Sequence, residues 1–218
     1  AVDAVIATIQ SGIPMARIEF VDAAAAAAFN RGAGTSWPDA PHLMVEFHGS
    51  EAGVVEQTER FAEIAAEFGG QGFRWAARPE ERNALWAMRH NAYRTTLQAY
   101  PGTKAITTDI CVPISRLAEA VEETAAEIAE SGLPGPIVGH VGDGNFHALL
   151  LPRDGDAAEW ALATRLAANM AKRALRLGGT VSGEHGIGLG KTKYMRAEHG
   201  DGWDVMGAIK AALDPEGV

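Results

Sequence analysis

Residues 139–147 read Gly-His-Val-Gly-Asp-Gly-Asn-Phe-His and contain two of the chain's seven histidines. Apolar runs flank this stretch, Pro136-Ile137-Val138 before it and Ala148-Leu149-Leu150-Leu151 after it. Apolar runs bounded by turn residues are typical of buried strands. The stretch therefore predicts two neighbouring strands joined by a tight turn.

The Asp143-Gly144 pair is the pair preferred in a two-residue hairpin turn. The pairs expected across that turn are Asn145 with Gly142, Phe146 with Val141, and His147 with His140. Directly opposed residues share one face of the sheet, with Cβ atoms roughly 4.5–5.5 Å apart. We therefore expect the two imidazoles to lie side by side, as ligands of a metal ion would.

A second segment, Ser182–Gly188, adds an acid and a histidine, Glu184 and His185. With His140 and His147, the carboxylate of Glu184 completes a ligand set that suits Zn²⁺, Mn²⁺ or Fe²⁺. The alternative is that the two hairpin histidines only form structural hydrogen bonds. Histidine exchanges protons near neutral pH, so His185 is a candidate general base, with a role beside the ligands or as a fourth ligand as the alternative.

Arg89 lies in a predicted long helix, Pro79–Tyr100. Its planar guanidinium suits a substrate carboxylate, although an ordinary surface arginine is the alternative. We interpret Cys111 as a small core residue. The histidines that belong to no cluster are interpreted as structural or solvated; they are His42, His48 and His199.

Bulk composition excludes several classes of protein. The chain has 218 residues, enough for one large domain or two small ones, and a formal charge of −9 without a basic cluster, which argues against nucleic acid and anionic membrane surfaces as partners. A single cysteine excludes an intrachain disulfide framework and favours a reducing, cytoplasmic location. No segment resembles a membrane span or a signal peptide. Because the chain starts inside a helix-like pattern, we expect a fragment of a longer protein.

The order of elements predicts an α+β fold with ferredoxin-like βαβ units and helices covering one face of a largely antiparallel sheet. Besides the hairpin, the predicted strands are Ala16–Val21, Leu43–His48, Phe73–Ala77 and Lys104–Val112. The predicted helices are Ala1–Ser11, Ala23–Asn30, Gly53–Phe68, Pro79–Tyr100, Ser115–Glu130, Asp156–Leu177 and Trp203–Leu213.

Several motifs resemble a known family. These motifs are Gly139–His147, Ser182–Lys191, Thr107–Pro113 and Leu213–Gly217. The chain resembles the C-terminal domain of FAD-linked oxidases, and most of all that of cytochrome-linked D-lactate dehydrogenases. Glycolate oxidase and D-2-hydroxyglutarate dehydrogenase belong to the same group of vanillyl-alcohol oxidase flavoproteins. The resemblance covers residues 1–218 and implies a substrate- and metal-binding domain.

The resemblance also implies roles for individual residues. It implies divalent metal binding, commonly of Zn²⁺ or Mn²⁺, by His140, His147 and Glu184, substrate binding by Arg89 and Asn145, and proton abstraction by His185. In this family the hydroxyl proton leaves as the α-hydrogen moves to flavin N5. Thr107 stands where relatives that act on dicarboxylates often carry Lys, which favours a monocarboxylate such as D-lactate.

The implied partners are a small 2-hydroxyacid, the N-terminal FAD domain of the same protein, an unidentified electron acceptor and a second copy in a homodimer. The FAD domain is absent from these residues, so we expect the isolated domain to bind FAD weakly and to be inactive alone. The full-length protein is expected in the cytoplasm or peripheral to a membrane. Two alternatives remain open: a stand-alone metal-dependent hydrolase and a catalytically silent carboxylate-binding module.

Overall fold

A computed structural model describes residues 1–76 and 78–217. Within them, the strands are β1 (Met15–Val21), β2 (His42–Phe47), β3 (Ile106–Thr107), β4 (Ile110–Cys111), β5 (Ile137–His140) and β6 (Asn145–Leu150). The helices are α1 (Val2–Gln10), α2 (Ala23–Ala33), α3 (Glu51–Glu67), α4 (Pro79–His90), α5 (Ala92–Ala99), α6 (Leu117–Ser131), α7 (Ala157–Arg176), α8 (Gly188–Lys191), α9 (Met195–His199) and α10 (Gly202–Leu213). The predicted α+β class is confirmed.

The strands form one sheet in the order β2-β1-β5-β6-β3, with β4 also paired to β6. Every pairing among the described strands is antiparallel. The strand–helix–strand order expected of βαβ units is present in β1-α2-β2, but its two strands are antiparallel neighbours. The β5–β6 hairpin lies in the middle of the sheet, where its neighbours hold both strands.

Side chains alternate between two apolar clusters along β1. Ile18 and Phe20 belong to the larger cluster, which joins the sheet to α1, α3, α6 and α7. Val21 belongs to a smaller cluster on the other face, where Phe29 of α2 and Ala92 of α5 pack. Helices therefore cover parts of both faces rather than one face, and the smaller cluster leaves room on its face for polar side chains.

The predicted hairpin register is wrong. His140 pairs with Asn145 rather than with His147, and His147 pairs with Val138. The partner of His140 is displaced by two residues, and side chains in a strand alternate with a period of two. Both histidines therefore stay on one face, as diagonal rather than direct neighbours.

The turn has four residues, 141–144. Val112, which directly follows β4, contacts the end of this turn. The amide of Val112 donates to the carbonyl of Gly144 at 3.1 Å. Gly144 has φ +85°, and a Cβ at this position would lie 2.0 Å from the Val112 carbonyl oxygen. A two-residue turn at Asp143-Gly144 satisfies the local preference, but the contact with Val112 is non-local and selects the longer turn.

Two predicted elements are interrupted where the site is built. The helix expected over Pro79–Tyr100 breaks at Asn91 into α4 and α5, and the Asn91 side chain donates to the Ala87 carbonyl, a local bond that competes with the helix. The strand expected over Lys104–Val112 is divided into β3 and β4. Of the strand predicted at Phe73–Ala77, residues 73–76 form no regular structure and Ala77 lies outside the described residues.

The remaining predicted elements are observed with ends that differ by a few residues. In the part of the chain that the structure describes, no helix combines the length and the apolar character needed to cross a membrane.

Candidate active site

His140 and His147 project from the hairpin with their rings nearly perpendicular and their centroids 5.8 Å apart. Each ring has an acceptor at Nδ1: the Glu19 carboxylate lies 2.6 Å from Nδ1 of His140, and the Thr108 carbonyl lies 3.0 Å from Nδ1 of His147. These acceptors favour the tautomer with its proton on Nδ1, so that Nε2 carries the lone pair. This is the arrangement in which proteins hold metal-binding histidines.

The interruption between β3 and β4 supplies the acceptor for His147. The Thr108 hydroxyl accepts from the amide of Ala148 at 2.8 Å, in place of a backbone carbonyl. The Thr108 carbonyl thereby turns to His147, whose side chain is only 6% exposed. Burial lowers the pKa of His147, despite the opposing effect of this hydrogen bond, so its imidazole is neutral at neutral pH.

Glu184 faces both imidazoles. Its Oε1 lies 3.0 Å from Nε2 of His147 and 3.5 Å from Nε2 of His140. The ring of His185 stacks on that of His147, with centroids 4.9 Å apart and an angle of 10°, and its Nε2 lies 3.7 Å from the same Glu184 oxygen. The hairpin and the downstream segment, separate in sequence, therefore converge in one cluster.

Asp109 holds the downstream segment in place. Its carboxylate is 1% exposed and accepts from the amides of Glu184 and His185 at 3.1 and 2.8 Å. It also accepts from the Ser182 hydroxyl at 2.9 Å and from Nδ2 of Asn145 at 2.8 Å. Burial alone would raise the pKa of Asp109, but these hydrogen bonds hold it well below the ordinary range. Asp109 therefore stays ionised and ties the segment to the hairpin.

The cluster fits a divalent metal. With its proton on Nδ1, His147 presents the lone pair of Nε2 to the Glu184 oxygen at 3.0 Å, a distance that a shared proton or a metal ion between the two atoms can account for. Two ligands each about 2.0–2.1 Å from a tetrahedral zinc ion lie roughly 3.4 Å apart. The separations of the Glu184 oxygen from Nε2 of His147 and of His140, 3.0 and 3.5 Å, lie on either side of that value, and the three groups have ligand atoms within 4.8 Å of one another.

A second group, Asp109, His147 and His185, also lies within metal-binding distance. Atoms of this group that could bind a metal already form hydrogen bonds. Both oxygens of Asp109 accept hydrogen bonds, and Nδ1 of His147 donates to Thr108. This group therefore serves to position side chains, and the metal is better accommodated by His140, His147 and Glu184.

Arg89, at the end of α4, lies beside the cluster. Its Nε donates to Oε2 of Glu19 at 2.9 Å, and its Nη2 lies 3.5 Å from Nε2 of His140. The hydrogen bond between His140 and Glu19 raises the pKa of His140, whereas partial burial and the charge of Arg89 oppose this increase. One edge of the guanidinium is thus fixed by Glu19, and the outer edge faces the cleft.

Asn145 is held by its amide nitrogen. Nδ2 donates to Asp109 and to the Ile110 carbonyl at 2.8 and 2.9 Å, and since both partners are acceptors, the orientation of the amide is fixed. Within the described residues, the Oδ1 atom is buried without a hydrogen-bond partner. Asn145 therefore has a fixed orientation in the wall of the cleft, with one buried acceptor left unpaired.

A cleft of about 890 Å³ opens over these side chains. Its wall includes Cys111, whose thiol donates to the Asp143 carbonyl and whose pKa is raised by burial, so it is not purely a core residue. His90 lines the cleft and stacks on Trp86. Away from it, His42 contacts the Pro38 carbonyl and His48 contacts Glu46, as expected for structural or solvated histidines.

Sequence reasoning brought His140, His147, Glu184, His185, Arg89 and Asn145 together and missed the two buried carboxylates that orient them. Glu19 stands between Ile18 and Phe20, and Asp109 directly precedes Ile110 in a strand-like run. A single acid inside an apolar strand signals a buried partner, because an unpaired buried charge is costly. That signal was available, but it does not identify the partner.

The family model for the C-terminal domain of FAD-linked oxidases matches residues 1–218. The chain belongs to this family. It is 43% identical over 219 residues to a Danio rerio protein named "Probable D-lactate dehydrogenase, mitochondrial", covering 100% of the chain and 44% of that relative. It is 38% identical to an Arabidopsis thaliana mitochondrial D-lactate dehydrogenase [cytochrome], covering 100% and 39%. It is 33% identical to the glycolate oxidase subunit GlcD of Escherichia coli K12, covering 81% and 35%.

Two solved structures share the fold. The likeness to p-cresol methylhydroxylase has a TM-score of 0.67 at 13% identity and covers 98% of this chain and 47% of that one. The likeness to 4-ethylphenol oxidase from Gulosibacter chungangensis has a TM-score of 0.65 at 14% identity, covering 91% and 45%. The chain thus spans less than half the length of each of these relatives and structures.

Proposed function

We propose that this chain is the substrate- and metal-binding domain of an FAD-dependent D-2-hydroxyacid dehydrogenase that oxidises D-lactate or a similar acid to the 2-oxoacid. Two of the relatives named above are D-lactate dehydrogenases, and a third is a glycolate oxidase subunit. The observation that carries the proposal is the convergence of two imidazole lone pairs and the Glu184 carboxylate beside Arg89.

When bound, FAD accepts the hydride. A bound divalent metal, Zn²⁺ or Mn²⁺, polarises the α-hydroxyl group. The residues that would hold the metal are His140, His147 and Glu184. FAD would be held mainly by a domain outside these residues, which corresponds to the part of the relatives that the chain does not cover.

The other side chains orient the substrate and move one proton. Arg89 binds the carboxylate with the guanidinium edge that Glu19 leaves free. Asn145, whose amide N–H groups are both bonded to Asp109 and Ile110, helps to hold the substrate from the wall of the cleft. His185 accepts the hydroxyl proton at Nε2, the atom that points towards the Glu184 oxygen. Thr107 stands where relatives that act on dicarboxylates often carry Lys, and this favours a monocarboxylate substrate.

The protein expressed from its full-length gene tests this proposal. We expect an oxidised flavin spectrum that D-lactate bleaches under anaerobic conditions and that L-lactate leaves unchanged. A protein without bound flavin, or a flavin indifferent to every D-2-hydroxyacid, contradicts the proposal. Turnover of an ester or amide by this chain alone would favour the hydrolase instead, and binding of carboxylates without turnover in the full-length protein would favour the silent module.

A further inference from the structure

Glu19 is a buried carboxylate in the middle of β1. Its side chain is 3% exposed, and its neighbours Ile18, Phe20 and Val21 belong to the apolar clusters on the two faces of the sheet. A charge in such a place is costly unless it is paired and hydrogen-bonded. Both oxygens are indeed used: Oε1 lies 2.6 Å from Nδ1 of His140, and Oε2 lies 2.9 Å from Nε of Arg89.

The two partners of Glu19 face the same cleft and come from distant elements. His140 ends β5 and presents Nε2, whereas Arg89 belongs to α4 and presents its outer guanidinium edge. Arg89 and His140 also approach each other directly, with Nη2 3.5 Å from Nε2. The single lone pair of Nε2 cannot be given to a metal ion and to an Arg89 N–H group at once.

We propose that Glu19 is a positioning residue that sets His140 for metal binding and Arg89 for substrate-carboxylate binding, and thereby couples the two sites. This inference rests on the proposed function for the roles of His140 and Arg89. Use of Nε2 by a cation releases Nη2 from His140, and Glu19 keeps the guanidinium in place when this contact is lost. The carboxylate-binding edge of Arg89 is then free while its position is unchanged.

Glutamate is the side chain that fits both tasks. His140 and Arg89 each present an N–H donor, so two acceptor oxygens are required. Glutamine has nearly the same shape but only one oxygen, and its NH₂ group would face one of the two donors. Aspartate keeps the charge but withdraws it by one methylene. Each substitution therefore breaks the double contact in a different way.

The first test is Glu19→Gln in the full-length protein. We expect the affinity for Zn²⁺ or Mn²⁺, measured by competition with a chromogenic chelator, to fall by about 10–100-fold, the usual effect of losing the group that orients a metal-binding histidine. We expect the KM for D-lactate to rise by about tenfold with a smaller change in kcat. Glu46→Gln is the matched control, because Glu46 also contacts a histidine, the exposed His48, at 2.9 Å, and it lies outside the cleft.

A second variant separates the effect of Glu19 on Arg89 from its effect on His140. In Arg89→Met, we expect a raised KM, and addition of Glu19→Gln should raise the KM no further while metal affinity still falls. Independent, multiplicative effects on KM would show that Glu19 does not act through Arg89 and would overturn the coupling. If Glu19→Gln fails to fold by circular dichroism, Glu19→Asp takes its place with the same expected losses.

The outcomes distinguish this inference from the proposed function. A wild-type flavin that ignores D-2-hydroxyacids overturns the proposed function, whereas chelator competition reports on Glu19 without any turnover. Wild-type metal affinity and KM in Glu19→Gln, with normal oxidation of D-lactate, overturn the inference alone. A full-length wild-type protein that binds no divalent metal overturns it as well.

Discussion

The β5–β6 hairpin and the segment 182–187 contribute to one cluster but are held in different ways. The hairpin is a pair of hydrogen-bonded strands in the centre of the sheet, and each of its histidines has its own acceptor at Nδ1. The segment has no helix or strand, and the side chains of Glu184 and His185 are 48% and 43% exposed. One buried carboxylate, that of Asp109, accepts three hydrogen bonds from this segment, two of them from backbone amides.

The difference separates two ways of building a site. The hairpin ligands are oriented by the sheet, so their geometry follows from the fold as a whole. The segment depends on a local network, so its geometry can be lost while the fold remains. Changes to the exposed side chains of the segment should therefore affect function more than global stability, whereas changes at its close contacts with Asp109 and Asn145 should affect both.

The largest effect is expected for His185→Gln. If His185 accepts the hydroxyl proton, kcat for D-lactate should fall by roughly 100- to 10,000-fold, the usual contribution of a positioned general base. Metal content should stay at the wild-type level, because His185 is not one of the three proposed ligands. Loss of metal together with activity would instead show that the segment contributes two ligands and no base.

Asp109→Asn tests the anchor of the segment. Asparagine has one acceptor oxygen where the carboxylate accepts hydrogen bonds from five donors, one of them the Lys191 ammonium, so we expect a loss of roughly 2–4 kcal/mol in the free energy of unfolding. Metal affinity should fall as well, because Glu184 loses its backbone contact. Chemical denaturation and chelator competition measure the two quantities.

The pH dependence of stability gives an independent check on Asp109. Its pKa in the folded state is depressed below the ordinary value of about 3.9. Its contribution to stability is therefore fully present above about pH 4 and is lost as the pH falls further. Asp109→Asn should remove this part of the acid-side loss; an unchanged acid limb in the variant would contradict the role given to the carboxylate.

Sequence patterns predicted most of the fold because the pattern of β1 and the caps of α7 are local signals. Asp156, the first residue of the predicted helix, is the N-cap of α7, and β1 lies within one residue of the predicted range. The hairpin register was missed because the contact between Val112 and Gly144 joins residues far apart in sequence. The prediction that the two imidazoles share one face of the sheet was nevertheless correct, because the error in register was two residues and side chains alternate with a period of two.

The buried carboxylates show where prediction of the site ends. Glu19 contacts His140 across 121 positions, and Asp109 contacts His185 across 76. Without the fold, neither acid can be given a partner. The metal, substrate and base roles of the six predicted residues stay predictions, although four of them line one cleft and the other two, His147 and His185, contact Glu184 in its wall.

The smallest effect tests how closely the segment fits the hairpin. A Cβ at Gly183 would lie 1.9 Å from Nδ2 of Asn145, so Gly183→Ala should cost roughly 1–3 kcal/mol in stability and reduce activity. Gly190 has no such neighbour within 4 Å, and Gly190→Ala should change stability by less than about 0.5 kcal/mol. Equal effects in thermal unfolding would mean that the close contact between segment and hairpin does not constrain the site.

The central claim is that hairpin and segment hold one metal ion between them. Elemental analysis of the full-length protein, in wild type and in His140→Ala, His147→Ala and Glu184→Gln, tests it most directly, with His48→Ala as the control outside the cleft. We predict about one divalent ion per chain in wild type and control, and a loss of most of that metal in each of the three variants. Equal metal content in all five proteins would contradict the account.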